Sequence, residues 1–110
     1  MINREKNVEK AIVKYCNDNA IPVINTSGIG KGVADLVICY LGQYLEVEVK
    51  RSKNWSIGDN QEIRKNMIED NFGNFKFCSS LDQFKEVLKG LEYGIARSVK
   101  ANNSTLTGQD

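Results

Sequence analysis

Histidine is absent from this 110-residue chain. Its absence excludes imidazole-based proton transfer, imidazole zinc sites and any Ser-His or Cys-His nucleophile. Cysteine is sparse: Cys16, Cys39 and Cys78 are odd in number, widely spaced and form no C-x-x-C. Each lies in an apolar stretch, so the expectation is three buried free thiols in a reducing cytoplasm. No N-terminal apolar run resembles a signal peptide, and no run reaches the roughly 20 apolar residues a bilayer span needs. A membrane is therefore not an expected partner. Charge of one sign is also lacking: 15 basic against 14 acidic residues leave a net +1. That balance neither requires nor excludes a nucleic-acid partner, because local charge decides.

What remains reads as one small α/β domain. Val8, Ala11, Ile12, Tyr15 and Cys16 recur at three- and four-residue spacing, which predicts a helix over Asn7 to Cys16. Asn17, Asp18 and Asn19 end it. Ile21 to Thr26 predicts a short strand, placed at a sheet edge by Pro22, the single proline. Val33 to Tyr40 and Gln43 to Arg51 predict a hairpin about Leu41-Gly42. Asn60 to Asn71 predicts a second helix with Ile63, Met67 and Ile68 inward, and Phe75 to Cys78 a fourth strand. Ser79 or Ser80 caps a third helix, whose stripe is Leu81, Phe84, Val87, Leu88 and Leu91. The order is α-β-β-β-α-β-α, a small mixed sheet flanked by helices. From Ser98 the composition turns to Asn, Ser, Thr and Gly, so the expected domain is 1–97 and residues 98–110 are expected to be a disordered tail.

The hairpin carries the informative residues. Asp35 precedes Leu36-Val37-Ile38, and Glu48 and Lys50 close the second strand. Residues two apart on a strand share a face, so Glu48 and Lys50 are neighbours, as are Glu46 and Glu48. Charges set into an apolar hairpin are costly unless paired or bound to a cation. The glycine-rich Ser27-Gly28-Ile29-Gly30-Lys31-Gly32 lacks the G-x-x-x-x-G-K-[ST] spacing, and a strand rather than a helix follows it. A nucleotide cofactor is not expected; a loop that lets backbone and Lys31 approach a phosphate is.

Together, an acidic residue on the first helix, a Gly-x-x-Asp at a strand start, a Glu-x-Lys at the next strand's end and a Gln opening the following helix resemble the VRR-NUC domain. This is the virus-type replication-repair branch of the PD-(D/E)xK nucleases. The resemblance runs from Val8 to Leu91, is closest in length to small stand-alone phage members, and falls on Glu9, Asp35, Glu48, Lys50 and Gln61. One departure is Ala34, where many members have proline before the aspartate. The resemblance implies a restriction-endonuclease-like core and a metal-dependent endodeoxyribonuclease. It further implies a homodimer suited to four-way junctions or other branched DNA.

In that setting Asp35, Glu48 and the Val49 carbonyl are expected ligands of Mg²⁺ (or Mn²⁺), with Glu9 direct or through water. Lys50 is expected to orient or deprotonate the attacking water or to stabilise charge on phosphorus. Gln61 is expected to position lysine, water or phosphate. Lys31, Arg51 and Lys53, with Arg64 and Lys65, are candidate phosphate contacts, and Trp55 is a lid or a stacking ring. Taken singly, each residue has an ordinary reading. Asp35 can cap a turn, Glu48 and Lys50 can be a solvated pair worth about 0–1 kcal/mol, and Glu9 can be a solvated helix residue. Glu46 is the rival ligand, set aside because only Glu48 completes E-x-K with Lys50. The alternatives in other classes are a junction-binding module that does not cut and a sequence-specific restriction-type endonuclease. The dimer contacts suggested by pattern are the Leu81, Phe84, Leu88 helix or the edge at Pro22.

Overall fold

Asn17 to Ile21 end the first helix through backbone geometry. Helix α1 (Arg4–Asp18) closes where Ala20 takes a left-handed φ of 56°. There the Ala20 and Ile21 N–H groups donate to the Asn17 and Cys16 carbonyls. The chain then turns into β1 (Val23–Asn25), β2 (Leu36–Tyr40) and β3 (Gln43–Val49). Leu41 and Gly42, both at positive φ, make the tight hairpin between β2 and β3. Helix α2 (Asp59–Asp70) crosses to β4 (Asn74–Cys78), and α3 (Leu81–Thr107) follows. The computed structural model describes residues 4–30, 32–52 and 56–107, and of 96–107 the backbone alone.

The sheet order is β1-β2-β3-β4, antiparallel except for the parallel β3–β4 pair that the α2 crossover permits. This is the expected α-β-β-β-α-β-α architecture with a mixed sheet. One sheet face packs Leu36, Ile38, Leu45 and Val47 against Ile12 and Cys16 of α1 and Phe84 and Leu88 of α3. The other packs Phe75, with Ala34 and Phe77, against Ile68 of α2. Ser80 caps α3 by accepting the Gln83 N–H at 3.1 Å. Among the described residues, no helix is long and apolar enough to cross a membrane.

Several expectations change. Ile63 and Met67 are 59% and 56% exposed, and only Ile68 of the expected inward set is buried. The reason is that α2 turns Gln61 and Arg64 toward the sheet, at three-residue spacing, so its inner face is largely polar and an apolar stripe misplaces it. Cys16 and Cys78 are buried, and burial pushes their thiols up to about 11 and about 12. Cys39 is exposed, because it alternates with the core residues Leu36 and Ile38 on β2. Phe84 and Leu88 are core residues and unavailable to a dimer contact. The α3 backbone continues to Thr107, where an irregular tail from Ser98 is expected; no proline or glycine interrupts 98–107, so nothing in the stretch breaks the helix begun upstream. Residues 108–110 lie outside the described residues.

Glu46 is the most demanding residue of the fold, for its side chain is fully buried. Arg64 meets it as a fork, Nη2 to Oε2 at 2.6 Å and Nε to Oε1 at 3.2 Å. The Tyr44 hydroxyl and the Ala34 N–H also donate to it. Burial acts to raise the Glu46 pKa, but these donors outweigh it and the carboxyl titrates below its usual range. Removing one member of a buried pair strands the other charge. Arg64→Ala should therefore cost about 3 kcal/mol in urea unfolding, the low end for a buried pair because Arg64 itself is partly exposed. A loss below about 1 kcal/mol, the level of an ordinary surface pair, would show that Glu46 does not depend on Arg64.

Candidate active site

Asp35 lies one residue before β2 and Lys50 one residue after β3, so the sheet brings them to one end. The Asp35 carboxylate is fixed by the Val49 N–H, which donates to Oδ2 at 2.8 Å, and by the Ser27 hydroxyl, 3.2 Å from Oδ1. Glu48 accepts from Gln61 Nε2 at 2.6 Å. Gln61 Oε1 accepts from Lys50 Nζ at 3.1 Å and from the Gly58 N–H at 3.3 Å. One amide thus ties the carboxylate, the ammonium and the start of α2 together. Lys50 Nζ also lies 3.8 Å from Glu48 and 5.5 Å from the centre of the Phe77 ring.

Asp35, Glu48, Lys50 and Gln61 line one open cleft of about 760 Å³, walled by the glycine-rich loop and the first turn of α2. Gly32 makes that wall possible. It has φ of 77°, and a Cβ there would lie 2.1 Å from the Asn60 carbonyl oxygen. Only a glycine lets the loop backbone rest directly on the turn that carries Gln61.

Glu9, the acidic residue of the first helix, is buried rather than solvated. It shares the α1 face of Ile12 and Cys16. Its oxygens accept from Asn25 Nδ2 at 2.6 Å, Ser27 Oγ lies 3.1 Å away with one proton to serve either Glu9 or Asp35, and Lys6 Nζ is 3.6 Å away. Ser27 therefore stands between Glu9 and Asp35. Sequence reasoning missed Asn25 and Ser27; their signal was position, Asn25 at the end of an edge strand and Ser27 immediately before the glycines. Arg51 is exposed beside Lys50. Lys31, Lys53 and Trp55 lie outside the described residues. Arg64 and Lys65 are paired within the fold, with Glu46 and Glu69.

Among the described residues, no three acidic or cysteine side chains converge as a ready metal cluster. The centre is a carboxylate pair, because Asn25 and Ser27 hold Glu9 one hydroxyl away. Burial and the adjoining Asp35 carboxylate push Glu48 up to about 7, against the opposing pull of Lys50. Two hard oxygen donors whose repulsion Lys50 and Gln61 offset only in part suit a hard cation such as Mg²⁺ or Mn²⁺ and not a soft metal.

Among solved structures, a chain described as "VRR_NUC domain" superposes with a TM-score of 0.69 at 21% identity, covering 80% of this chain and 97% of its own. The fold is that of a VRR-NUC domain. Neither a protein-family model nor a curated protein matches the sequence. The structural match covers the VRR-NUC fold as expected, in spite of Ala34 in place of proline. Ala34 is fully buried, and its N–H and carbonyl are held by Glu46 and Thr26, so hydrogen bonds supply rigidity that a proline ring supplies otherwise.

The raised Glu48 pKa has a consequence for stability. The folded protein holds this proton up to about pH 7, whereas an unfolded glutamate releases it near 4.5. Without divalent cations the stability contributed by this group is full below pH 4.5 and is lost as pH rises through about 7. In EDTA, the stability of wild type relative to Glu48→Gln should fall across that window and level off above it. A difference that does not change with pH would show that Asp35 and burial do not act on Glu48 as described.

Proposed function

We propose that the protein is a metal-dependent endodeoxyribonuclease acting on branched DNA, four-way junctions foremost, with Mg²⁺ (or Mn²⁺) as cofactor. The observation that carries this reading is the placement of Asp35, Glu48, Lys50 and Gln61 in one open cleft. Asp35 and Glu48, with the Val49 carbonyl, would hold the cation, and Glu9 would act on it through Ser27 or water. When bound, the cation supplies Lewis-acid polarisation of a phosphoryl oxygen and offsets the carboxylate charge.

The remaining work falls to the chain's own groups. Water forms a new P–O bond while the P–O bond to the leaving strand breaks. Lys50, held by Gln61 and seated over Phe77, donates to the phosphoryl oxygen that gains negative charge, while the attacking water gives up a proton to solvent and the leaving oxygen takes one from solvent. Gln61, at the start of α2, bonds both Glu48 and Lys50 and so sets one against the other. The wall formed at Gly32 keeps that helix turn in place. Arg51, with Lys31 and Lys53, would contact phosphates. Two-fold pairing of protomers would set two such centres on matching strands of a junction, with the β1 edge at Pro22 as the remaining contact suggested by the sequence.

A labelled four-way junction and a matched linear duplex, each incubated with Mg²⁺, Mn²⁺ or EDTA, test this directly. The junction should be cut with metal, the duplex far less, and neither in EDTA. Failure to cut either substrate with metal would end the nuclease reading, and equal cutting would end the branch preference. Lys50→Ala should lower the cleavage rate at least about 10²-fold with junction affinity largely kept. Cleavage by that variant at the normal rate would remove Lys50 from the site.

A further inference from the structure

Behind the catalytic cleft lies a second groove of about 400 Å³, lined by Glu9, Lys10, Val13, Lys14, Asn17, Asp18 and Asn25. It shares no lining residue with the cleft that holds Asp35 and Glu48. The two are nonetheless joined, since Ser27 Oγ lies 3.1 Å from Glu9 in one and 3.2 Å from Asp35 in the other. A single hydroxyl thus links an acid of one groove to an acid of the other.

Two lysines, Lys10 and Lys14, line the second groove beside Glu9 and Asp18, and the helix period sets those lysines in a row with Lys6 beyond the groove. Lys6, Lys10 and Lys14 follow one another at four-residue spacing on α1, all exposed. The stripe spans about 12 Å along the helix, the axial run of three to four phosphates of one B-form strand. The acids of the groove are engaged within it, Asp18 by Lys14 itself. Glu9 is held by Asn25 and Ser27, and Asp18 accepts from Lys14 at 2.7 Å at the far end. Lys10, between them, has no ion-pair partner among the described residues. Asn17 and Asn25 add neutral donors to the floor.

On the nuclease reading above, the geometry points to this groove as a track for the nucleic-acid strand that continues past the scissile phosphate, with Lys10 and Lys14 on its phosphates. The apolar contacts of the groove are confined to Val13, which suits a sugar–phosphate backbone better than a protein partner. Its occupant would be continuous with the substrate in the cleft. Lys10 and Lys14 are binding residues in this scheme and touch no reacting atom.

The test is the salt dependence of junction binding, measured in the Lys50→Ala background with Mg²⁺ so that DNA stays intact. Lys10→Ala and Lys10→Ala/Lys14→Ala should weaken binding at low salt. Each lost contact should flatten the slope of log affinity against log salt by roughly 0.7–0.9. Lys89→Ala, on an exposed stretch of α3 away from both grooves, should leave the slope unchanged. Unaltered slopes in both α1 variants, with the Lys50→Ala protein binding normally, would overturn the track and leave the nuclease reading standing. An equal loss in Lys89→Ala would reduce the effect to net charge and overturn it as well. Absence of junction binding by the wild-type protein would overturn both.

Discussion

Two carboxylates lie two residues apart on the β3 face beneath α2, and the fold treats them oppositely. Glu46 is fully buried and receives an arginine fork, a tyrosine hydroxyl and a backbone N–H. Glu48 receives one neutral amide and a lysine at 3.8 Å, and faces a second carboxylate. The partners come from successive positions of one helix: Gln61 opposite Glu48, Arg64 opposite Glu46. Two residues along a strand advance about 6.8 Å and three along a helix about 4.5 Å, so a single helix reaches both rungs. The inner rung is satisfied and anchors α2. The outer rung is left short of positive charge at the mouth of a cleft.

Everything else at the site follows from keeping α2 where both rungs close. Gly32 lets the loop backbone rest on the Asn60-Gln61 turn. The loop is itself tied to β2 by Thr26, whose hydroxyl donates to the Ala34 carbonyl at 2.6 Å and whose N–H donates to the Asp35 carbonyl at 2.8 Å. Ser27 then carries the connection on to Glu9 in α1. Three helix and loop segments therefore converge on the ends of two strands, a site built on rigid elements rather than on a mobile loop.

The element order and the placement of Asp35, Glu48 and Lys50 at one end of the hairpin were legible because strand period and turn chemistry act locally. The polar inner face of α2 was not. Ile63 and Met67 follow the helical period well enough to suggest a buried stripe, and only the presence of Glu46 beneath the helix explains why Arg64 faces in. The burial of Glu9 was likewise invisible, since its partners Asn25 and Ser27 lie 16 and 18 residues away and meet it only through the fold. Cys39 shows the same limit in reverse: an apolar neighbourhood in sequence does not say which face of the strand a side chain takes. Glu46 was the rival ligand by spacing alone, and in the fold its carboxylate is taken up by Arg64.

The proposed role of Asp35 and Glu48 is to hold a cation that offsets the repulsion Lys50 and Gln61 relieve only in part. The most direct measurement is thermal unfolding at pH 8 in EDTA and in saturating Mg²⁺, for wild type, Asp35→Asn and Arg51→Ala. A ligand at 100 times its Kd stabilises by about 2.7 kcal/mol, which for a domain of this size is roughly 10 °C in Tm. Wild type and Arg51→Ala should both rise by that order with Mg²⁺, and Asp35→Asn should not. No rise in wild type, or an equal rise in Asp35→Asn, would contradict the claim.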